Sequence, residues 1–264
     1  MNRLRCIISL LAFTVSISVI GAEHSVHIKV YPSARQQLDS ARELIARVGL
    51  NPPEREEDIH AAVAAAVASL EVVAKRWPAD TASIAEAYVL EGQMLVEPPA
   101  RAYPSAEDVS RRGLASIGSR PEAALLYRIL GESLQGLKRT PEAEQAFRDA
   151  ERHPKLHELT PLQQLSIFQA AGQFFDQLHD AKEAAKHYRS ASRIARLSDL
   201  THMSLLLASL ERSAETDPQD AKGDMADLQQ LLNASRQKNN SNPADLAALR
   251  GYEEALAGFK KKLH

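Results

Sequence analysis

The chain has 264 residues, with 32 basic against 34 acidic side chains and a formal charge of −2. Setting aside the first 22 residues, which carry Arg3 and Arg5 and no acid, leaves −4; neither value suits a nucleic-acid binder, which needs a basic stripe to displace counterions. Aromatics make up only 5% while Ala and Leu are abundant, and because Ala allows close helix–helix contact at little entropic cost, the composition favours stacked helices over a β-sandwich.

Residues 1–22 begin with Arg3 and Arg5, run through an apolar stretch over 6–20 and end on Gly21 and Ala22, before the polar Glu23-His24-Ser25. This is the layout of a secretory signal peptide, with cleavage expected after Ala22. The apolar stretch is shorter than the ~20 residues of a spanning helix, so an anchor kept at the N-terminus is the second reading. Cleavage after Gly21 would instead leave Ala22-Glu23-His24 at the terminus, an arrangement that can wrap Cu(II), but it requires the less favourable site. The lone cysteine, Cys6, falls inside this segment. The expected mature chain is therefore free of thiols, with no disulfide and no Cys nucleophile or metal ligand. The compartment is read as a bacterial periplasm, with secretion from a eukaryotic cell as the alternative.

Val26, Ile28 and Val30 alternate with polar residues, which makes 23–32 an extended tail or edge strand ending near Pro32. The rest, 33–264, reads as about eleven helices near 33–48, 54–76, 80–96, 105–117, 120–136, 141–152, 161–178, 181–197, 199–214, 218–237 and 243–262. Capping-box spacing occurs at Ser105/Asp108, Ser119/Glu122, Thr160/Gln163 and Asp180/Glu183, where one side chain accepts from an orphan N–H and the other reaches back. Pro141, Pro161, Pro218 and Pro243 follow Thr, Asp or Asn and sit where a missing N–H costs nothing. The Asn- and Ser-rich stretch 233–242 is expected to fray the tenth helix and link it to the last. Lys260, Lys261 and Lys262 form a solvated helix end, a favourable place for cations.

Two stretches repeat. Tyr127-x-x-Leu130-Gly131-x-x-Leu134 is followed by Ala143, Phe147 and Ala150; Phe168-x-x-Ala171-Gly172-x-x-Phe175 is followed by Ala184, Tyr188 and Ala191. In both, the three later residues lie 12, 16 and 19 positions beyond the glycine. Small residues permit close helix approach and large ones fill the space around it. This pattern resembles the tetratricopeptide repeat, clearly over 124–157 and 165–198. A partial copy over 85–117 contains Tyr88-x-x-Glu91-Gly92-x-x-Leu95, followed by the insertion 97–104 and a second helix without the aromatic. The resemblance implies an all-α, right-handed solenoid of helical hairpins. Repeats cannot bury a face alone, so 33–76 and 199–264 are expected to extend and cap the stack.

No phosphate loop, His-Glu-x-x-His or Gly-x-Ser-x-Gly is present in the sequence, and no catalytic, cofactor or metal residue is assigned. His153 and His157 are separated by Pro154 and read as loop residues at a repeat junction. Glu132-Ser133 in a helical array is similar to lytic transglycosylases only in setting. That family's catalytic Glu belongs to a lysozyme-like domain, and nothing here has that pattern, so a peptidoglycan-linked enzyme ranks last.

In proteins that the repeats resemble, the first helix of each hairpin lines a concave groove. An angular count at 100° per residue gives Ser166, Gln169, Gln173 and Gln177 as groove candidates, with Arg128 and Glu132 in the preceding repeat and Glu86, Val89 and Gln93 before that. Rich in amides and with one cation, the set suits hydrogen bonding to a peptide backbone rather than capture of an anionic tail. The expectation is an envelope scaffold or adaptor holding a partner peptide or helix, with no nucleic acid, no cofactor and no membrane contact after cleavage. The alternative is a structural subunit of an envelope or secretion assembly that uses convex and end faces.

Overall fold

The computed structural model describes residues 13–17, 26–50, 56–98, 100–194, 198–237 and 243–263. Eleven α-helices occur among them: α1 (Ala34–Leu50), α2 (Glu56–Arg76), α3 (Thr81–Val96), α4 (Tyr103–Ile117), α5 (Glu122–Gly136), α6 (Thr140–Glu151), α7 (Pro161–Gln177), α8 (Ala181–Ser192), α9 (Asp199–Thr216), α10 (Pro218–Gln237) and α11 (Pro243–Leu263). Two short strands, β1 (Phe13–Ile17) and β2 (Val26–Val30), pair antiparallel with Phe13 opposite Val30 and Ile17 opposite Val26. The chain divides into two compact units, Met1–Ile129 and Leu130–His264, with the boundary inside α5.

In the first unit the alternation in 26–30 does form a strand. Ile28 and Val30 are buried and pack on Ala68 and Val72 of α2. The strand's end is fixed by Gln37 of α1, which is fully buried. Its Oε1 accepts from the Tyr31 N–H at 3.0 Å and its Nε2 donates to Ser69 Oγ at 2.6 Å. Leu38 and Ala41 of α1 meet Leu70 and Val73 of α2 and Ala87 of α3 in one apolar cluster. The Asp80 carboxylate caps α3, accepting from the Ser83 N–H at 3.0 Å. That bond holds its carboxyl below the usual range.

The insertion after α3 ends sooner than its prolines suggest. Arg101 adopts φ 43° and the Ala102 N–H donates to Leu95 O at 2.7 Å, so α4 starts at Tyr103. Ser105, expected to cap this helix, lies within its first turn instead; the N-cap is Ala102, with no side-chain cap. The α3–α4 contact also reverses the expected arrangement. Its glycine is Gly113 on the second helix, where an added Cβ would lie 3.0 Å from Tyr88 Cβ on the first.

The second unit holds the regular hairpins. An added Cβ at Gly131 would sit 3.0 Å from the Phe147 ring, and one at Gly172 would sit 2.9 Å from Tyr188 Cζ. The aromatic 16 residues on therefore fills the space that each glycine leaves open. The turns match as well: Lys138 and His179 both take the left-handed region, at φ 61° and 58°. After them the N–H groups of Arg139 and Asp180 reach back to Leu134 O and Phe175 O, each at 2.9 Å, closing the same helix-end motif twice.

The capping box of Thr160 and Gln163 is complete, and Asp180 caps α8 through the Glu183 N–H. Helix α8 ends at Ser192; residues 195–197, expected to continue it, lie outside the described residues, as do 238–242 of the Asn-rich linker. Met203, Leu206, Leu210, Leu228, Leu232, Leu249 and Leu256 join α9, α10 and α11 in a core at the C-terminal end.

Candidate functional site

The amphipathic pattern of α7 leaves one stripe outside the core. Ile167, Ala171, Phe174 and Phe175 are buried, whereas Gln173 and Gln177 are exposed and Ser166 and Gln169 half-buried. Leu162 falls on the same stripe one turn earlier and is 72% exposed, the largest exposure among the large apolar residues described. At the other end of the stripe, Gln135 of α5 donates its Nε2 to Gln177 Oε1 at 2.6 Å. Sequence reasoning missed both Leu162 and Gln135. The i, i+4, i+7, i+11 spacing from Leu162 to Gln173 was the available signal.

The stripe is not uniform. Ser166 turns its hydroxyl back to Gln163 O at 2.7 Å, as hydroxyls do inside helices, so its side chain is engaged locally. Gln169 and Gln173 present amides with both donors and acceptors. Glu132, half-buried on α5, belongs to the same unit as these residues.

The candidates in the first unit behave differently. Arg128, expected at a solvated face, is only 5% exposed. The angular count assumed that α5 has a polar side in this turn, yet Leu125, Leu126 and Ile129 are all buried around Arg128. A helix covered on every side has no such face. Val89 is buried for the same reason. Glu86 is half-buried and ion-paired with Arg42 and, at 3.8 Å, with Arg35 of α1. Gln93 is half-buried.

The residues one turn behind the α7 stripe are committed to structure. Asp176 accepts from Arg212 at 2.5 and 2.6 Å and from the Tyr188 hydroxyl at 2.9 Å. The Arg212 guanidinium also lies 4.6 Å from the Tyr188 ring centre. Burial, with the Asp176 contact, pushes the Tyr188 phenol up to about 12, so it stays a donor throughout the physiological range. His187 stacks on Phe175 at 5.0 Å and meets Glu151 at 2.5 Å. His153 Nδ1 accepts from the Lys155 N–H at 3.3 Å, which places this histidine in the connection after α6. Among the described residues no group of three or more His, Cys, Asp or Glu could hold a metal ion, and no helix is long and apolar enough to cross a membrane.

No family model and no curated protein matches the sequence. Among solved structures, BtubC (BKLC) from P. vanneervenii matches 81% of this chain and 96% of its own with a TM-score of 0.50 at 13% identity. PilF of Pseudomonas aeruginosa covers 87% of this chain and 91% of its own, with a TM-score of 0.47 and 16% identity. A thermophilic TPR protein of Thermus thermophilus covers 85% and 100%, with a TM-score of 0.48 and 16% identity. At 13% identity the likeness to BtubC is one of fold alone. The fold is all-α and tetratricopeptide-like, built from helical hairpins, and its repeats are carried by the Gly131–Phe147 and Gly172–Tyr188 contacts.

Proposed function

We propose that this protein is an interaction scaffold of the cell envelope that holds an extended peptide or a partner helix against the exposed stripe of α7. The observation that carries this reading is the run Leu162, Ser166, Gln169, Gln173 and Gln177 on one side of a helix whose other sides are packed. An exposed leucine followed by unburied amides offers an apolar anchor and, beside it, groups that pair with a peptide backbone.

The export part of the proposal rests on the composition of residues 1–22. On this reading the precursor is cleaved after Ala22, which removes β1 and leaves β2 held to α2 through Ile28 and Val30. Intact-mass measurement of the protein released by osmotic shock is expected to begin at Glu23. A mass that retains the first 22 residues supports the anchor, and recovery from the cytosol removes the envelope role.

The interaction is tested by crosslinking in the native compartment, comparing wild type with a Gln169→Ala, Gln173→Ala, Gln177→Ala variant. The folded variant is expected to lose the crosslinked partner. Full recovery of the partner transfers the contact to other faces and favours the assembly-subunit reading.

A further inference from the structure

In the first unit a cavity of about 260 Å³ opens between α2, α3 and α4. Leu70 and Ala74 of α2 and Ala87 of α3 supply apolar wall, and Tyr88 adds a ring. Glu91, with a side chain only 4% exposed, also lines it. The two cations of the lining, Lys75 and Arg112, are its exposed side chains, at 68% and 47%.

The two lysine and arginine side chains are already engaged. Lys75 Nζ lies 2.9 Å from Glu71, and Arg112 Nε lies 2.8 Å from Asp108. Arg112 Nη2 approaches Glu91 only to 3.8 Å, beyond hydrogen-bond reach. Among the described residues nothing donates a hydrogen bond to the Glu91 carboxylate. A carboxylate this little exposed is costly to ionise, and a chain that only needed to pack would place an apolar residue here. The regular repeats do so: the residue before the central glycine is Leu130 or Ala171, both buried.

We infer that this cavity is a binding site for an aliphatic ammonium group, whose alkyl stem lies against Leu70, Ala74 and Ala87 and whose N–H donors reach Glu91. Charge agrees with that occupant. Glu71 and Lys75 of α2, Tyr88 and Glu91 of α3, and Asp108 and Arg112 of α4 are the titratable groups around the site. Lys75 is paired with Glu71 and Arg112 with Asp108, so Glu91 is the carboxylate of this group without a counter-charge at bonding distance, and one added positive charge balances it. Burial, opposed by Arg112, pushes Glu91 up to about 7. An arriving ammonium pairs with the carboxylate and releases its proton. The site is independent of the α7 stripe and does not rest on the envelope reading.

The same chemistry is available from a free amine or from a lysine side chain on another protein. The test titrates the full chain with n-butylammonium chloride and, separately, with the capped tripeptide acetyl-Ala-Lys-Ala-amide. Calorimetry in buffers of different ionisation heat reads both affinity and proton release. Butylammonium is expected to bind with proton release at pH 6 and about tenfold more tightly at pH 8, where Glu91 is already ionised. Glu91→Gln is expected to weaken binding by about tenfold or more, since a charge-assisted bond is lost while shape is kept. Ala74→Phe, which fills the cavity and leaves the carboxylate in place, is expected to abolish it.

Binding of both probes assigns the site to a lysine side chain, and binding of butylammonium alone assigns it to a free amine. The inference is overturned if butylammonium does not bind, if both variants bind it as wild type does, or if sodium butyrate binds in its place.

Discussion

Asp224 in the second unit and Glu91 in the first are equally buried, at 2% and 3% exposure, and their surroundings are opposite. Asp224 accepts from Arg189 Nε at 2.7 Å and Nη2 at 2.9 Å, from Ser209 Oγ at 2.6 Å and from Ser213 Oγ at 3.4 Å. A further Arg189 nitrogen reaches Asp220 at 2.6 Å, and the guanidinium is held protonated chiefly by these carboxylate bonds. Glu91 has one cation at 3.8 Å and a cavity in front of it. The first arrangement is closed and ties α8, α9 and α10 together. The second is open on the side of the cavity that Glu91 lines.

The largest effect is expected from breaking the closed arrangement. Arg189→Met leaves Asp224 buried with its main counter-charge gone, and removing one partner of a buried pair costs about 3–5 kcal/mol. Urea denaturation measures this as a lowered midpoint with an unchanged slope. A wild-type midpoint would mean that the hydroxyls of Ser209 and Ser213 suffice for Asp224.

The open arrangement predicts a pH effect instead. Folded Glu91 titrates at about 7, raised by burial from its ordinary 4.5. Between these values the folded chain holds a proton that the unfolded chain has released. Stability from this group is therefore full below pH 4.5, falls as pH rises through the window and levels off above 7, by roughly 3 kcal/mol in all. Glu91→Gln removes the dependence. The difference in unfolding free energy between variant and wild type should then change between pH 5 and pH 8, and a constant difference would place Glu91 in ordinary solvent.

Glycine contacts sharpen the comparison at a smaller scale. Gly172→Leu drives side-chain atoms into Tyr188, and Gly113→Leu drives them into Leu126 and Tyr88. Each is expected to cost ~1–3 kcal/mol or more through overpacking. Equal losses in thermal melts would show that the reversed α3–α4 contact is as firm as the regular one. A much smaller loss at Gly113 would mark the first unit as looser, in keeping with its cavity. The smallest effect belongs to the α7 stripe, where the triple Gln→Ala variant should shift stability by less than ~0.5 kcal/mol. Loss of folding in that variant would mean that Gln169 is part of the core.

Much of the fold was legible along the chain. Apolar spacing, the prolines after Thr, Asp and Asn, and the Thr160 and Asp180 caps are local signals, and most helix ends follow from them. The Gly131/Phe147 and Gly172/Tyr188 pairs were legible because both partners sit at a fixed distance within one hairpin. Ser105 misled because α4 begins two residues earlier, where the turn at Arg101 and Ala102 had already set the chain direction.

What the sequence determined by itself is therefore whatever lies within a helix or between the two helices of a hairpin, since periodicity and spacing record those contacts. Tertiary structure decided the rest. Arg128 is buried because α5 is covered around that turn, and Glu86 is ion-paired because α1 brings Arg35 and Arg42 to it. Glu91 looks like one more polar residue on a helix until α2 and α4 close around it. Burial of a charge depends on which other elements arrive beside it, and no spacing within a single helix encodes that.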